Sequence, residues 1–115
     1  MSNILKGEIY LAELSPTIGS EISKKRPVLI ISNDTNNQFS DTVSIVPITS
    51  TTTKIYPFEV FLHKGEGNLL NDSKAKCNQI RTIDKQRITK RLGKISGEKL
   101  NEVERAMLIH LDIEF

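Results

Sequence analysis

The chain has 115 residues, a mass of 13.0 kDa and a formal net charge of +2, with 26% charged, 37% hydrophobic and 5% aromatic residues. That length suits one domain, residues 1–115, whose core needs neither metal nor disulfide, and the single cysteine, Cys77, excludes an intrachain disulfide or a cysteine metal cluster. No apolar run approaches the roughly 18 residues of a membrane span, and Lys6 with Glu8 and Glu13 does not read as a secretory signal, so a cytoplasmic protein with no membrane partner is expected.

Gly7 to Leu14 alternates loosely and contains Ile9, Tyr10 and Leu11, which predicts a strand. Ser15 to Arg26 has no periodicity; it holds Pro16, Gly19 and three serines, and a loop of that length points to function. Pro27 to Asn33 is a near-continuous apolar strand, with proline acceptable at its first position. A short turn or helix over Asp34 to Phe39 follows, capped by Asn33 or Asp34. Thr42 to Thr49 alternates cleanly, Val43, Ile45 and Pro47 against Ser44, Val46 and Ile48, and Pro47 signals a bulge or an edge. Ser50 to Lys54 is a polar connection, Tyr56 to Leu62 a strand and Lys64 to Gly67 a turn. Lys76 to Ile83 is predicted as a further strand with Cys77, Ile80 and Ile83 inside. The chain closes on a helix: Ser96 is a good N-cap, Ile95 can staple onto Leu100, and Leu100, Val103, Met107 and Leu111 form one stripe. Five or six short strands with a terminal helix predict a mainly β fold, a small and strongly bent antiparallel barrel.

The charge is unevenly distributed. Residues 1–73 hold six basic and eight acidic side chains, residues 74–99 nine basic against Asp84 and Glu98, and residues 100–115 one basic against four acidic. A basic block of that size suits a polyanion, and equally a solvated face balanced by the acidic ends. His63, His110 and Cys77 lie on separate elements without metal-ligand spacing, so no metal or other cofactor is expected. Two positions suit phosphate chemistry. Arg26 ends a long loop just before a buried strand, where a guanidinium can be held for bidentate contact. Thr49 ends a strand ahead of Ser50 and three threonines, where a hydroxyl can donate to a phosphate oxygen. A surface arginine and a β-favouring threonine would look the same.

Six segments occur in an informative order: Gly7-Glu-Ile-Tyr, Leu14-Ser-Pro, Gly19-Ser-Glu21, Arg26-Pro-Val-Leu-Ile-Ile-Ser-Asn33, Pro47-Ile-Thr49 and Gln79-Ile-Arg-Thr-Ile-Asp-Lys85. Together they resemble the MazF/PemK family of toxin endoribonucleases, over about Lys6 to Leu111. The resemblance implies a CcdB-like, SH3-type barrel that forms a homodimer. It also implies metal-independent cleavage of single-stranded RNA at short sequences, and a cognate antitoxin that inserts an acidic segment into the RNA groove. It assigns catalysis to Arg26 and Thr49, and RNA contact to Ser20, Glu21, Asn33, Ser50, Asn78 and Gln79.

The pattern also departs from relatives. The Kid-like branch places histidine, arginine and aspartate where Ser20, Lys76 and Asn78 stand, and many MazF members carry glutamate at the Asn78 position. An aspartate base with a histidine partner is therefore excluded. RNA supplies its own nucleophile, the 2′-OH, leaving the protein to stabilise phosphorane charge and to move protons. A guanidinium stays charged at working pH, so Arg26 is expected to act mainly as electrostatic stabiliser of the transition state, with acid as its secondary role and water or Glu21 taking the proton. The alternative function is gyrase binding without catalysis, as in CcdB; the absence of tryptophan and the ending Ile113-Glu-Phe115 count against it.

Overall fold

A computed structural model describes residues 3–114. The two most apolar strands lie inside the sheet, because their alternate side chains are buried on opposite faces. In β2 (Lys25–Ile30), Val28 and Ile30 enter one core and Leu29 the other. In β3 (Thr42–Thr49), Val43 and Ile45 face the first core while Val46 and Ile48 face the second. Around them run β1 (Glu8–Glu13), α1 (Asp34–Phe39), β4 (Glu59–Leu62), β5 (Ser73–Lys76), β6 (Arg81–Asp84), β7 (Ile88–Lys94) and α2 (Gly97–Leu111). The strands form one antiparallel sheet in the order β4-β5-β3-β2-β1-β7, with β6 also paired to β3.

Pro47 explains the most important departure from expectation. The segment 76–83 is not one strand: β5 pairs with β3 at Ile48 and Thr49, β6 pairs with it at Thr42 to Ile45, and a 3-10 turn over Cys77–Gln79 separates them. The backbone groups of Ser44 face Ile31 and Ser32. By alternation the Pro47 nitrogen points the other way, into the gap between β5 and β6, where no ladder bond is lost. The predicted irregularity at Pro47 is therefore a break in its neighbour.

Other boundaries shift for local reasons. Strand β2 starts at Lys25, inside the expected loop, because Ala12 and Glu13 pair with Arg26 and Lys25. Strand β4 starts only at Glu59, since Pro57 lies in a turn closed by the Glu59 N–H on the Tyr56 carbonyl at 2.9 Å. Strand β7 was not expected at all; it is a charged end strand paired, among the described residues, only with β1, and the register shifts twice along it. No ladder joins β4 to β7 among the described residues. The turn after β4 closes that seam instead: Asn68 Nδ2 donates to the Leu92 carbonyl at 2.7 Å, with Gly67 against Gly93.

Both helices start where their caps predict. Asn33 accepts from the Asn36 N–H at 2.8 Å, and Ser96 from the Lys99 N–H at 3.2 Å. Helix α2 covers the Leu29 and Val46 core with Val103 and Ala106, flanked by Leu100 and Met107, and Ile95 joins the same cluster. The last member of the expected stripe, Leu111, is instead exposed, together with Ile109 and Ile113.

Candidate active site

The β2–β3 register aligns Val28 with Pro47. Continued for two residues on the same face, it sets Arg26 opposite Thr49. Both line a groove of 500 Å³ whose other walls include Lys24, Lys25, Ser50, Leu70 and Lys90. Arg26 Nε donates to the Ser23 carbonyl at 3.1 Å, which orients the guanidinium and leaves both Nη groups free of protein partners among the described residues. The Thr49 hydroxyl accepts from the Thr51 N–H at 3.3 Å, so its own proton remains available to donate. Lys24, just before the arginine strand, has φ of 69° and is tied down by its N–H on Ser15 Oγ at 2.8 Å. A left-handed, non-glycine residue held in this way marks a loop end fixed by its surroundings.

A second groove, of 390 Å³, holds Ser20, Glu21, Asn78 and Gln79. It adjoins the first, because Pro47 lines one and Thr49 the other, and residues two apart on a strand are about 6.6 Å apart on one face. The break between β5 and β6 brings Asn78 and Gln79 here. Gln79 stitches the long loop to the sheet, accepting from the Ile22 N–H at 2.8 Å and donating to the Ser20 carbonyl at 3.4 Å. Asn78 Oδ1 is buried without a hydrogen-bond partner among the described residues. Glu21 receives the Ile18 N–H at 2.6 Å within its own loop.

The eight candidate residues thus divide three ways. Arg26, Thr49 and Ser50 share the first groove; Ser20, Glu21, Asn78 and Gln79 share the second. Asn33 caps α1 and borders a third groove beside Met107 and Leu111.

Sequence reasoning missed a buried ionic cluster behind Thr49. Glu59 is fully buried; its Oε1 accepts from Lys74 Nζ at 2.9 Å and the Tyr56 N–H at 3.0 Å, and its Oε2 from Lys76 Nζ at 2.9 Å. Burial pushes the Glu59 pKa up, but the Tyr56 N–H and the two ammonium groups outweigh it and hold it below the ordinary 4.5. The available signal was the Lys74 and Lys76 spacing, which places both on one face of a strand opposite a strand carrying a glutamate. Cys77 lies beside this cluster, where burial and the Glu59 charge push its thiol up to about 12. A thiol held neutral in this way is not a nucleophile.

The family model for PemK-like, MazF-like toxins of type II toxin–antitoxin systems matches residues 5–111. The endoribonuclease MazF9 of Mycobacterium tuberculosis is 35% identical over 94% of this chain and 96% of its own. MazF of Deinococcus radiodurans superposes with a TM-score of 0.85 at 24% identity, over 96% of this chain and 98% of that one. An endoribonuclease from mycobacterial species, in complex with its cognate antitoxin, gives 0.81 at 22% identity, over 97% and 98%. From the family match and the MazF9 identity, the chain belongs to the PemK-like, MazF-like toxins of type II toxin–antitoxin systems.

Proposed function

We propose that this toxin is an endoribonuclease that cuts single-stranded RNA, mRNA included, at short sequences without a metal, with Arg26 and Thr49 at the cleavage site. The observation that carries the reading is that both line one groove, with a free guanidinium fork and a free hydroxyl proton. Thr49 holds a non-bridging phosphate oxygen for in-line attack by the 2′-OH. Arg26 meets the charge that develops on the phosphorane, and removing one such pre-aimed donor costs about 10²–10³ in kcat. Water takes the 2′-OH proton in this reading, because Glu21 lines the adjoining groove and is engaged within its own loop. As the 2′-oxygen bonds to phosphorus the P–O5′ bond breaks and a water protonates the departing 5′-oxygen, leaving a 2′,3′-cyclic phosphate and a 5′-OH end.

Bases flanking the cut lie in the second groove, read by hydrogen bonds rather than by stacking. Asn78 Oδ1, a buried acceptor without a partner, suits an amino or imino N–H of a base. Gln79, Ser20 and Glu21 border the same space, Ser50 extends the first groove, and Asn33 contacts RNA from the edge beyond α1. The protein works as a cytoplasmic homodimer, and a cognate antitoxin neutralises it by placing acidic side chains against Lys24, Lys25 and Lys90. Gyrase binding is the less supported alternative: the matched family and the curated relative's name both favour RNA cleavage. The ending that argued against gyrase includes Phe115, outside the described residues.

The test is incubation of the purified protein with a long mixed-sequence RNA in EDTA, followed by mapping of the ends. Cleavage with cyclic-phosphate ends, lost in Arg26→Ala and at a 2′-deoxy position, is expected. A magnesium requirement, or cutting at the deoxy position, overturns the mechanism.

A further inference from the structure

The cluster behind Thr49 carries a role that the cleavage scheme does not use. Lys74 lies directly across the β3–β5 ladder from Thr49. Its ammonium does not reach the groove: the side chain is 8% exposed, and Nζ donates to Glu59 Oε1 at 2.9 Å and to the Lys54 carbonyl at 2.7 Å. Lys54 ends the hydroxyl-rich connection that begins at Ser50. Two residues further along, the Tyr56 N–H is held by the same Glu59 oxygen at 3.0 Å. The Tyr56 ring lies beneath Lys54 Nζ at 4.7 Å and within 6.0 Å of Lys74 Nζ. Thr49 is thus fixed by the sheet at the near end of the connection, and Lys54 by a buried ion pair at its far end. Between them, Thr51 gives its N–H to the Thr49 hydroxyl.

We propose that Lys74, seated on the buried carboxylate of Glu59, is a positioning residue for RNA cleavage. It anchors the far end of the Ser50–Lys54 connection and thereby keeps the Thr51 N–H on the Thr49 hydroxyl, aiming that proton into the groove. The proposal rests on the reading of Arg26 and Thr49 as the cleavage site. A lysine suits this position because a compact ammonium donates to a carboxylate and a carbonyl at once. Without it the connection loses its buried anchor, and the hydroxyl can rotate away from its productive orientation. The loss falls on the chemical step, because grip on the RNA comes from the groove walls.

The test is a double-mutant cycle on cleavage of a short RNA, with kcat and KM measured separately for Lys74→Met, Thr49→Ala and both together. Lys74→Met leaves Glu59 with one of its two cations, so folding is followed by thermal melting. The paired Glu59→Gln, Lys74→Met change, which removes both charges, is measured alongside. In a folded protein, Lys74→Met is expected to lower kcat about tenfold with KM within about twofold, and to cost less than about twofold once Thr49 is already alanine. A merely structural lysine predicts the full factor in both backgrounds. That result, or a change confined to KM, refutes the positioning role while Thr49 keeps its place. If Thr49→Ala cuts as fast as the parent, the cleavage-site reading itself falls, and this proposal with it.

Discussion

The seam between the Glu66–Asn68 turn and β7 allows a quantitative test of how the sheet closes. An alanine Cβ at Gly93 would meet the Gly67 carbonyl carbon and oxygen at 2.8 Å and Asn68 Nδ2 at 2.9 Å. Two of those atoms are backbone. The turn is also poorly able to retreat, because Gly67 and Asn68 both have left-handed φ, 56° and 63°. Overpacking of this kind costs about 1–3 kcal/mol, and loosening the Asn68 to Leu92 hydrogen bond adds about 1 kcal/mol. At this chain length about 4 °C of Tm corresponds to 1 kcal/mol, so Gly93→Ala is expected to lower the midpoint by about 8–16 °C. The assay is thermal unfolding followed by circular dichroism, with Gly97→Ala as control. A Cβ at Gly97 meets nothing within 4 Å, and a Gly-to-Ala change at a helix start should leave the midpoint within about 3 °C or raise it slightly. A drop at Gly93→Ala no larger than the control's would refute the claim that this glycine contact closes the seam.

Other expectations follow from named groups. Arg26→Lys keeps the charge but loses the fork, so cleavage should fall nearly as far as in Arg26→Ala, about 10²–10³-fold; near-parental rates would show that a point charge suffices. Glu59 and Glu8 are both held below 4.5 in the fold: burial raises each, and hydrogen bonds outweigh it, from Tyr56, Lys76 and Lys74 for Glu59 and from Arg91, Leu5 and Tyr10 for Glu8. Each carboxylate therefore contributes stability that is fully present above the unfolded value and lost as pH falls through its folded one. Unfolding monitored from pH 6 downward should show a loss below 4.5 that is shallower in Glu59→Gln; an unchanged slope would contradict the assignment. Cys77, with its thiol pushed up to about 12, should resist an aromatic disulfide reagent at pH 8 until the protein unfolds, and rapid native labelling would be inconsistent with its burial.

Legibility from sequence followed how much each element's own side chains decide. Strands β1 and β3 and both helices were readable, because alternation, periodicity and caps are local and the core enforces them. The seventh strand was not: in Ile88 to Lys94 only Ile88 and Gly93 are buried, so an end strand with charges outward looks like a charged loop. The division of residues 73–84 was hidden for another reason, since it answers to Pro47 on a different strand. At the site, Arg26 and Thr49 were recognisable by motif, but their convergence on one groove is a property of the fold. Glu59 escaped notice because a glutamate in a strand reads as solvent-facing. Only the fold shows two lysines converging on it.

Pro47 has one more consequence, for the fidelity of the site. Sliding β3 by one residue would swing the proline ring nitrogen from the empty side of the strand toward β2. There the ladder is continuous, and a carbonyl would be left without its donor, at about 1–3 kcal/mol. The same slip would turn Thr49 to the opposite face of the sheet, away from Arg26. A residue that cannot donate a hydrogen bond thus works as a backbone index pin. It penalises misaligned pairings during folding and fixes the reach between guanidinium and hydroxyl without touching either.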